Sequence, residues 1–339
     1  MLFAIALIAA ASAAQPAAAD PSAAAQPAAA EDPSAIALPG APPVGMDYLA
    51  YDPETAQLFV PASNTGKLDI VDTRTGKVSS MDGWATAKRG ERTAGITAAT
   101  VGKGFVYVGN RADSSICAVE IKSMAKRGCV TLPGSPDGVF YVAPTREVWA
   151  TTPDKKSLQI LGVQDPAAPK LTGSITLDGE PEGYAVDEKR GLVFTNLEDK
   201  NKTLVIDAKT RKVAHTWTTG CGEKGPRGLA VDTESMHLFV ACAFEGLRSL
   251  DSHGKIVGQL ETGAGVDNID WLASKKLVYV ASREEGKLTV VQAGADGSLK
   301  QVSTAPTFKG GRTVMIDGAG NAYIPDSKLG RLFVVKATP

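Results

Sequence analysis

Seven times along this chain a short aliphatic run carries one aromatic residue, and the interval between those aromatics is nearly constant. They are Phe59, Tyr107, Trp149, Phe194, Phe239, Tyr279 and Tyr323, spaced by 48, 42, 45, 45, 40 and 44 residues. Before each lies another apolar run, at 49–52, 96–99, 139–142, 184–187, 229–232, 269–272 and 314–317. After each lies a third, at 68–71, 116–119, 158–161, 204–206, 247–250, 288–291 and 332–335. A weaker fourth run usually follows, as at 130–132 or 256–260. Runs this short, parted by turns rich in Asp, Gly and Lys, read as strands and leave no room for helices. A period of about 44 residues is that of a four-stranded propeller blade. One blade cannot bury both of its faces, whereas seven packed around an axis can. The expected fold is therefore all-β: a seven-bladed β-propeller of four-stranded antiparallel blades, with the recurring aromatic wedged between neighbours. A β-sandwich would not explain one aromatic at the same phase seven times.

The ends of the chain show how such a ring closes. The last unit stops after its third run, leaving one strand unsupplied. Near the other end, Ala35-Ile36-Ala37-Leu38-Pro39-Gly40-Ala41-Pro42 resembles Cys129-Val130-Thr131-Leu132-Pro133-Gly134-Ser135-Pro136, a fourth run leading into the next unit. Residues 36–38 are thus predicted to lie along 332–335 and complete the last blade, removing an open sheet edge.

What precedes this segment is not core. Residues 2–11 are almost wholly apolar and lead into Ala11-Ser12-Ala13, a small-x-small cleavage pattern. Residues 1–14 read as a signal peptide, although Met1-Leu2-Phe3 carries no basic residue. Residues 15–33, rich in Ala, Pro, Asp and Ser, read as a flexible linker, and 34–339 as the propeller domain. Export implies a periplasmic or secreted protein in an oxidising compartment. After the leader no run of 18 apolar residues could cross a membrane.

The net charge of −1 and the pI near 6.3 give no overall attraction to nucleic acid. One local basic region, Lys88, Arg89, Arg92, Lys103 and Arg111, lacks interleaved stacking aromatics. The chain reads as a monomer.

Four cysteines in an exported chain invite disulfides, and three pairings are available. Cys117 and Cys129 flank a turn at Ser123 on adjacent runs, and Cys221 and Cys242 belong to one rim of the fifth unit. The favoured pairing is Cys117–Cys129 with Cys221–Cys242, against the alternative of free buried thiols.

Catalytic signatures are sparse. There is no G-x-S-x-G elbow. Gly220-Cys221-Gly222-Glu223-Lys224-Gly225 matches a dinucleotide fingerprint, but Pro226 and a strand follow it, not a helix. His215 belongs to an outer strand, and His237 and His253 to turns on the face away from the strand entries. Those entries are where a propeller opens its axis. They fall at Asp47, Ala94, Asp137, Glu182, Arg227, Asp267 and Arg312, ringed by second-strand ends that include Arg111 and Arg283. Convergent charge at a channel mouth suits a small polar or anionic ligand, or another exported protein. Arg111, Arg227, Arg283 and Arg312 fit a carboxylate or phosphate. Asp47, Asp137, Glu182, Asp267 and Asn268 are hard oxygen donors of the kind that hold Ca²⁺. Two functions follow. One is a non-catalytic binding scaffold. The other is a divalent-cation-dependent lactonase- or lyase-like enzyme. A third arrangement, in which these charges only pair with one another, needs no ligand.

The third-run motifs also carry a resemblance. Ile70-Val71-Asp72-Thr73-Arg74-Thr75-Gly76-Lys77-Val78 and Val205-Ile206-Asp207-Ala208-Lys209-Thr210-Arg211-Lys212-Val213 place Asp and a basic turn after an apolar strand. With Val106-Tyr107-Val108-Gly109-Asn110 and Phe194-Thr195-Asn196, the pattern resembles the YVTN-repeat (YncE-like) family of secreted β-propellers. The resemblance covers about residues 34–339 and implies the architecture, not a reaction.

Overall fold

The computed structural model describes Met1 and residues 34–337. The predicted leader and linker lie outside the described residues, apart from Met1. Among the described residues there are seven four-stranded antiparallel sheets and one two-stranded hairpin. Blade 1 runs Ala50–Asp52, Gln57–Ala62, Lys67–Asp72 and Val78–Met81. Blade 2 begins at Ile96–Gly102, blade 3 at Val139–Val142, blade 4 at Pro181–Asp187, blade 5 at Pro226–Asp232 and blade 6 at Ile269–Leu272. Each of blades 1 to 6 is a plain up-and-down meander, with its strands hydrogen-bonded in chain order. No helix among the described residues is long and apolar enough to cross a membrane.

Blade 7 is assembled from both ends of the domain. Met315–Ile316, Ala322–Asp326 and Arg331–Val335 supply three strands, and Ala35–Ala37 supplies the fourth. Ile36 stands opposite Leu332, and Ala35 opposite Phe333. The Leu38 N–H continues the seam by donating to the Gly330 carbonyl at 3.0 Å.

The repeated aromatic does what its phase implies. Phe59 packs with Ile96, Val106 and Val108 of blade 2, Trp149 with Val193 and Leu204 of blade 4, and Phe194 with Leu229 and Leu238 of blade 5. Tyr323 of blade 7 reaches Leu49 and Leu58 of blade 1 and so carries the packing across the seam. Phe59, Tyr107, Trp149, Phe194 and Phe239 are fully buried. Each fills a wedge that a flat pair of sheets would leave empty, and full burial of such a ring contributes about 2–3 kcal/mol.

Both disulfides form as favoured: Cys117–Cys129 joins directly opposed residues of adjacent strands in blade 2, and Cys221–Cys242 ties the approach of blade 5 to the end of its second strand. Two local readings need correction. Ala94 is not a strand entry: it closes an extra hairpin, Ala87–Arg89 against Arg92–Ala94, inserted between blades 1 and 2. Gly90, at φ +62°, takes the first central position of its two-residue turn, a left-handed conformation that glycine adopts at no steric cost. His237 is not a turn residue but the first residue of the second strand of blade 5, 8% exposed, with Nδ1 2.9 Å from Ser235 Oγ.

Candidate functional site

Bulges interrupt the first strands of two blades where predicted site residues stand. The first strands of blades 4 and 5 pair regularly except between Pro181 and Tyr184 and between Pro226 and Leu229. Glu182 and Arg227 sit in these two irregularities, an arrangement that turns a side chain out of the pleat. Gly183 makes the close packing there feasible, because a Cβ would stand 2.0 Å from the Arg227 carbonyl oxygen. Asp47 is positioned differently. Tyr48 pairs as a parallel bridge with Ala98, its N–H donating to the Thr97 carbonyl at 3.0 Å and its own carbonyl accepting from Ala99 at 3.1 Å. This seam between blades 1 and 2 holds Asp47 beside Thr97 and Arg111.

Most of the predicted ring converges on two arginines. Arg111 pairs with Asp137 and places Nη2 3.3 Å from Asp47 Oδ2, while its Nε donates to the Pro136 carbonyl at 3.3 Å. Arg312 places Nε 3.2 Å from Asp267 Oδ2 and Nη2 4.0 Å from Asp47 Oδ1. The Arg312 carbonyl accepts the N–H groups of Asp267 and Asn268, at 3.0 and 3.3 Å. Asp47 therefore lies between both guanidinium groups, its side chain 15% exposed.

Three predicted members turn elsewhere. Arg227 pairs with Glu198 of its neighbouring blade. Arg283 lies on the rim with Nε 2.8 Å from Glu284 Oε1. The Asn268 side-chain oxygen accepts from the adjacent Ile269 N–H at 2.9 Å. Among the described residues no three His, Cys, Asp or Glu side chains are grouped as a metal ion would require. The carboxylates proposed for Ca²⁺ are occupied instead by arginine, except Glu182.

Next to these charged groups, aromatic side chains from three parts of the chain stack together. Tyr48 of the first blade's approach stacks on Tyr184 of blade 4, with centroids 5.4 Å apart, and Tyr184 stacks on Phe140 of blade 3 at 4.4 Å. The Tyr48 hydroxyl donates to Glu182 Oε1 at 3.2 Å. In this enclosure the ionised carboxylate is disfavoured. Burial, with the charge of Asp267 added, pushes Asp47 up to about 6 against the opposing pull of Arg111 and Arg312. Burial and then Asp267 and Asp47 push Glu182 up to about 7. Asp270 is raised to about 6 by burial although it accepts the N–H groups of Ile316 and Trp271.

Above the ring a cleft of about 770 Å³ opens, and the extra hairpin forms one wall. Arg89, Arg92 and Glu91 of the hairpin line it together with Asp47, Arg111 and Arg312. The Arg89 guanidinium donates to the Arg111 carbonyl at 2.8 Å, which braces the hairpin against blade 2. Thr97 also lines the cleft. It is 7% exposed, and its hydroxyl has no hydrogen-bond partner among the described residues. A buried hydroxyl left this way is costly unless something else bonds it. Neither Thr97 nor the hairpin's role was marked by sequence. Arg89 and Arg92 were visible only as members of a basic stretch, and the bulged phase of Thr97 is hidden by the insertion before it.

No protein-family model matches the chain, and no curated protein matches it. Solved structures do. The chain is similar to a chain of Kuenenia stuttgartiensis hydrazine synthase (TM-score 0.70, 13% identity, covering 87% of this chain and 96% of that one). It is similar to streptogramin B lyase (0.68, 11%, covering 88% and 95%). It is also similar to the Cps50 (Swd1) β-propeller domain of Myceliophteria thermophila (0.67, 9%, covering 89% and 99%). At such identities the likeness establishes the propeller fold and stops there.

Proposed function

We propose that this protein is an exported, non-catalytic propeller whose channel mouth binds a small anionic organic ligand. The observation that carries the reading is one cleft lined by Arg111, Arg312, Arg89 and Arg92, with Thr97, whose buried hydroxyl has no partner among the described residues, in the same wall. Two guanidinium forks lining one cleft suit the oxygens of a carboxylate or phosphate. The YVTN-repeat resemblance supports the same picture of a secreted scaffold, as do two disulfides in one domain. We read residues 1–14 as the leader and 15–33 as the tether that leaves the ring free in the periplasm or medium; N-terminal sequencing of the mature protein checks that division.

The test is calorimetric titration with small carboxylates and phosphates. Arg312→Gln is expected to weaken binding at least about tenfold, the effect of losing one charge-assisted contact. Arg190→Gln, whose partner Asp187 lies away from the cleft, should leave binding unchanged. Failure of every anion to bind, or equal binding by Arg312→Gln, overturns the proposal.

A further inference from the structure

We infer that an anion enters this mouth together with a proton, which Asp47 accepts when the ligand takes over Arg111 and Arg312. The inference rests on the anion-binding reading above and adds its regulation. Its basis is a count of charges and a geometry. Asp47, Asp267 and Glu182 act on one another's charge and Asp137 joins Asp47 on Arg111, and among the described residues the predicted arginines that reach these four by ion pairs are Arg111 and Arg312. The cluster is thus in carboxylate excess before any ligand arrives. An anion adds further negative charge where little water is left to screen it.

The arrangement also singles out which carboxylate yields. Among the described residues Glu182 has no arginine to lose, and Asp137 pairs with Arg111 and Asp267 with Arg312, whereas Asp47 is the second carboxylate on both, at 3.3 and 4.0 Å, and so holds each of them less closely. Among the described residues its hydrogen-bonded side-chain partner is Arg111, with Arg312 as a longer ion pair. A ligand in the cleft that draws both guanidinium groups to itself therefore strips Asp47 first. The groups facing Asp47 from the surrounding elements are Arg111 of blade 2, Arg312 and Asp267 from the approaches to blades 7 and 6, and Tyr184 of blade 4. Glu182 of blade 4, Tyr48 beside Asp47, Asp137 through its share of Arg111, and Arg89, Glu91 and Arg92 of the hairpin across the cleft are the others. Of the cations among the described residues, Arg111 and Arg312 are the ones that form ion pairs with Asp47. Burial already holds this carboxyl near the middle of the accessible pH range, so neutralisation by a proton is within easy reach.

Sulfate is the appropriate probe, because it stays a dianion from pH 5 to 8 and any proton uptake belongs to the protein. The full mature chain is titrated with sulfate across that range, in two buffers of different ionisation enthalpy. The inference predicts uptake of about one proton per sulfate near pH 7, and affinity falling about tenfold per pH unit above 6. Asp47→Asn should bind sulfate more tightly at pH 8 than the parent and lose most of the slope. Should that variant not fold, the proton count on the parent protein decides alone. Sulfate binding with no proton uptake and no pH slope overturns the inference while leaving the anion site standing. No sulfate binding at any pH removes the site, and the inference with it.

Discussion

Glu182→Gln offers a direct reading of the electrostatics at the mouth. Glu182 is 8% exposed, accepts one hydrogen bond from Tyr48, and faces Asp47 and Asp267. Burial and those neighbours raise it from 4.5 to about 7 in the folded protein, while the unfolded chain keeps the ordinary value. A folded carboxyl raised in this way is a stabilising proton holder at low pH. Its contribution is whole below about 4.5, declines as pH rises, and is gone above about 7. At 1.36 kcal/mol per pH unit, the ionised side chain costs the fold on the order of 3 kcal/mol at pH 8. Gln keeps the oxygen that accepts from Tyr48 and never ionises. Urea unfolding at a series of pH values should therefore show little difference between the two proteins at pH 4.5. The variant should become the more stable by up to about 3 kcal/mol as pH approaches 8. A constant difference across the range, or a parent protein favoured at high pH, would refute the claim that this carboxylate is held in a poorly solvated, negatively charged enclosure.

Other outcomes follow from packing and geometry. Phe194→Ala removes a fully buried wedge between blades 4 and 5 and should cost about 3–5 kcal/mol in chemical denaturation. Gly183→Ala drives a Cβ into the Arg227 carbonyl, so it should lower stability by about 2 kcal/mol or more and weaken anion binding as the bulge shifts. Millimolar calcium should leave the melting temperature unchanged, since Asp47, Asp137 and Asp267 are engaged with arginine; a rise that EDTA reverses would restore the cation-site reading.

How much of this could be read from residues alone depends on whether a feature is periodic. The blades repeat, so the phase of Phe59 through Tyr323 announced both their number and the wedge role of each ring. The seam was readable because the segment at Ala35–Ala37 copies the one around Cys129. The strand entries follow the same period, and hence Asp47, Asp137, Asp267 and Arg312, which the fold links with Arg111 through shared ion pairs, could be named together from their spacing. What breaks the period was invisible. The hairpin at Ala87–Ala94 is short, charged and without apolar alternation, and it displaced the apparent entry of blade 2 onto Ala94. Contacts between distant parts of the chain obey no local rule: Tyr48 and Tyr184 stack although 136 residues separate them in the chain. Nor can phase say which arginine a carboxylate chooses. Arg227 occupies an entry like the others, yet Glu198 draws it sideways out of the ring.

Cysteine cross-linking of the seam tests the closed ring most directly. Ala35 and Phe333 are direct partners, so Ala35→Cys with Phe333→Cys should form a disulfide under mild oxidation, seen by peptide mass mapping, with a higher unfolding midpoint. Ala37→Cys with Phe333→Cys, two residues out of register, should not. Cross-linking of the second pair in preference to the first, or of neither, would contradict a ring fastened by its own N-terminal strand.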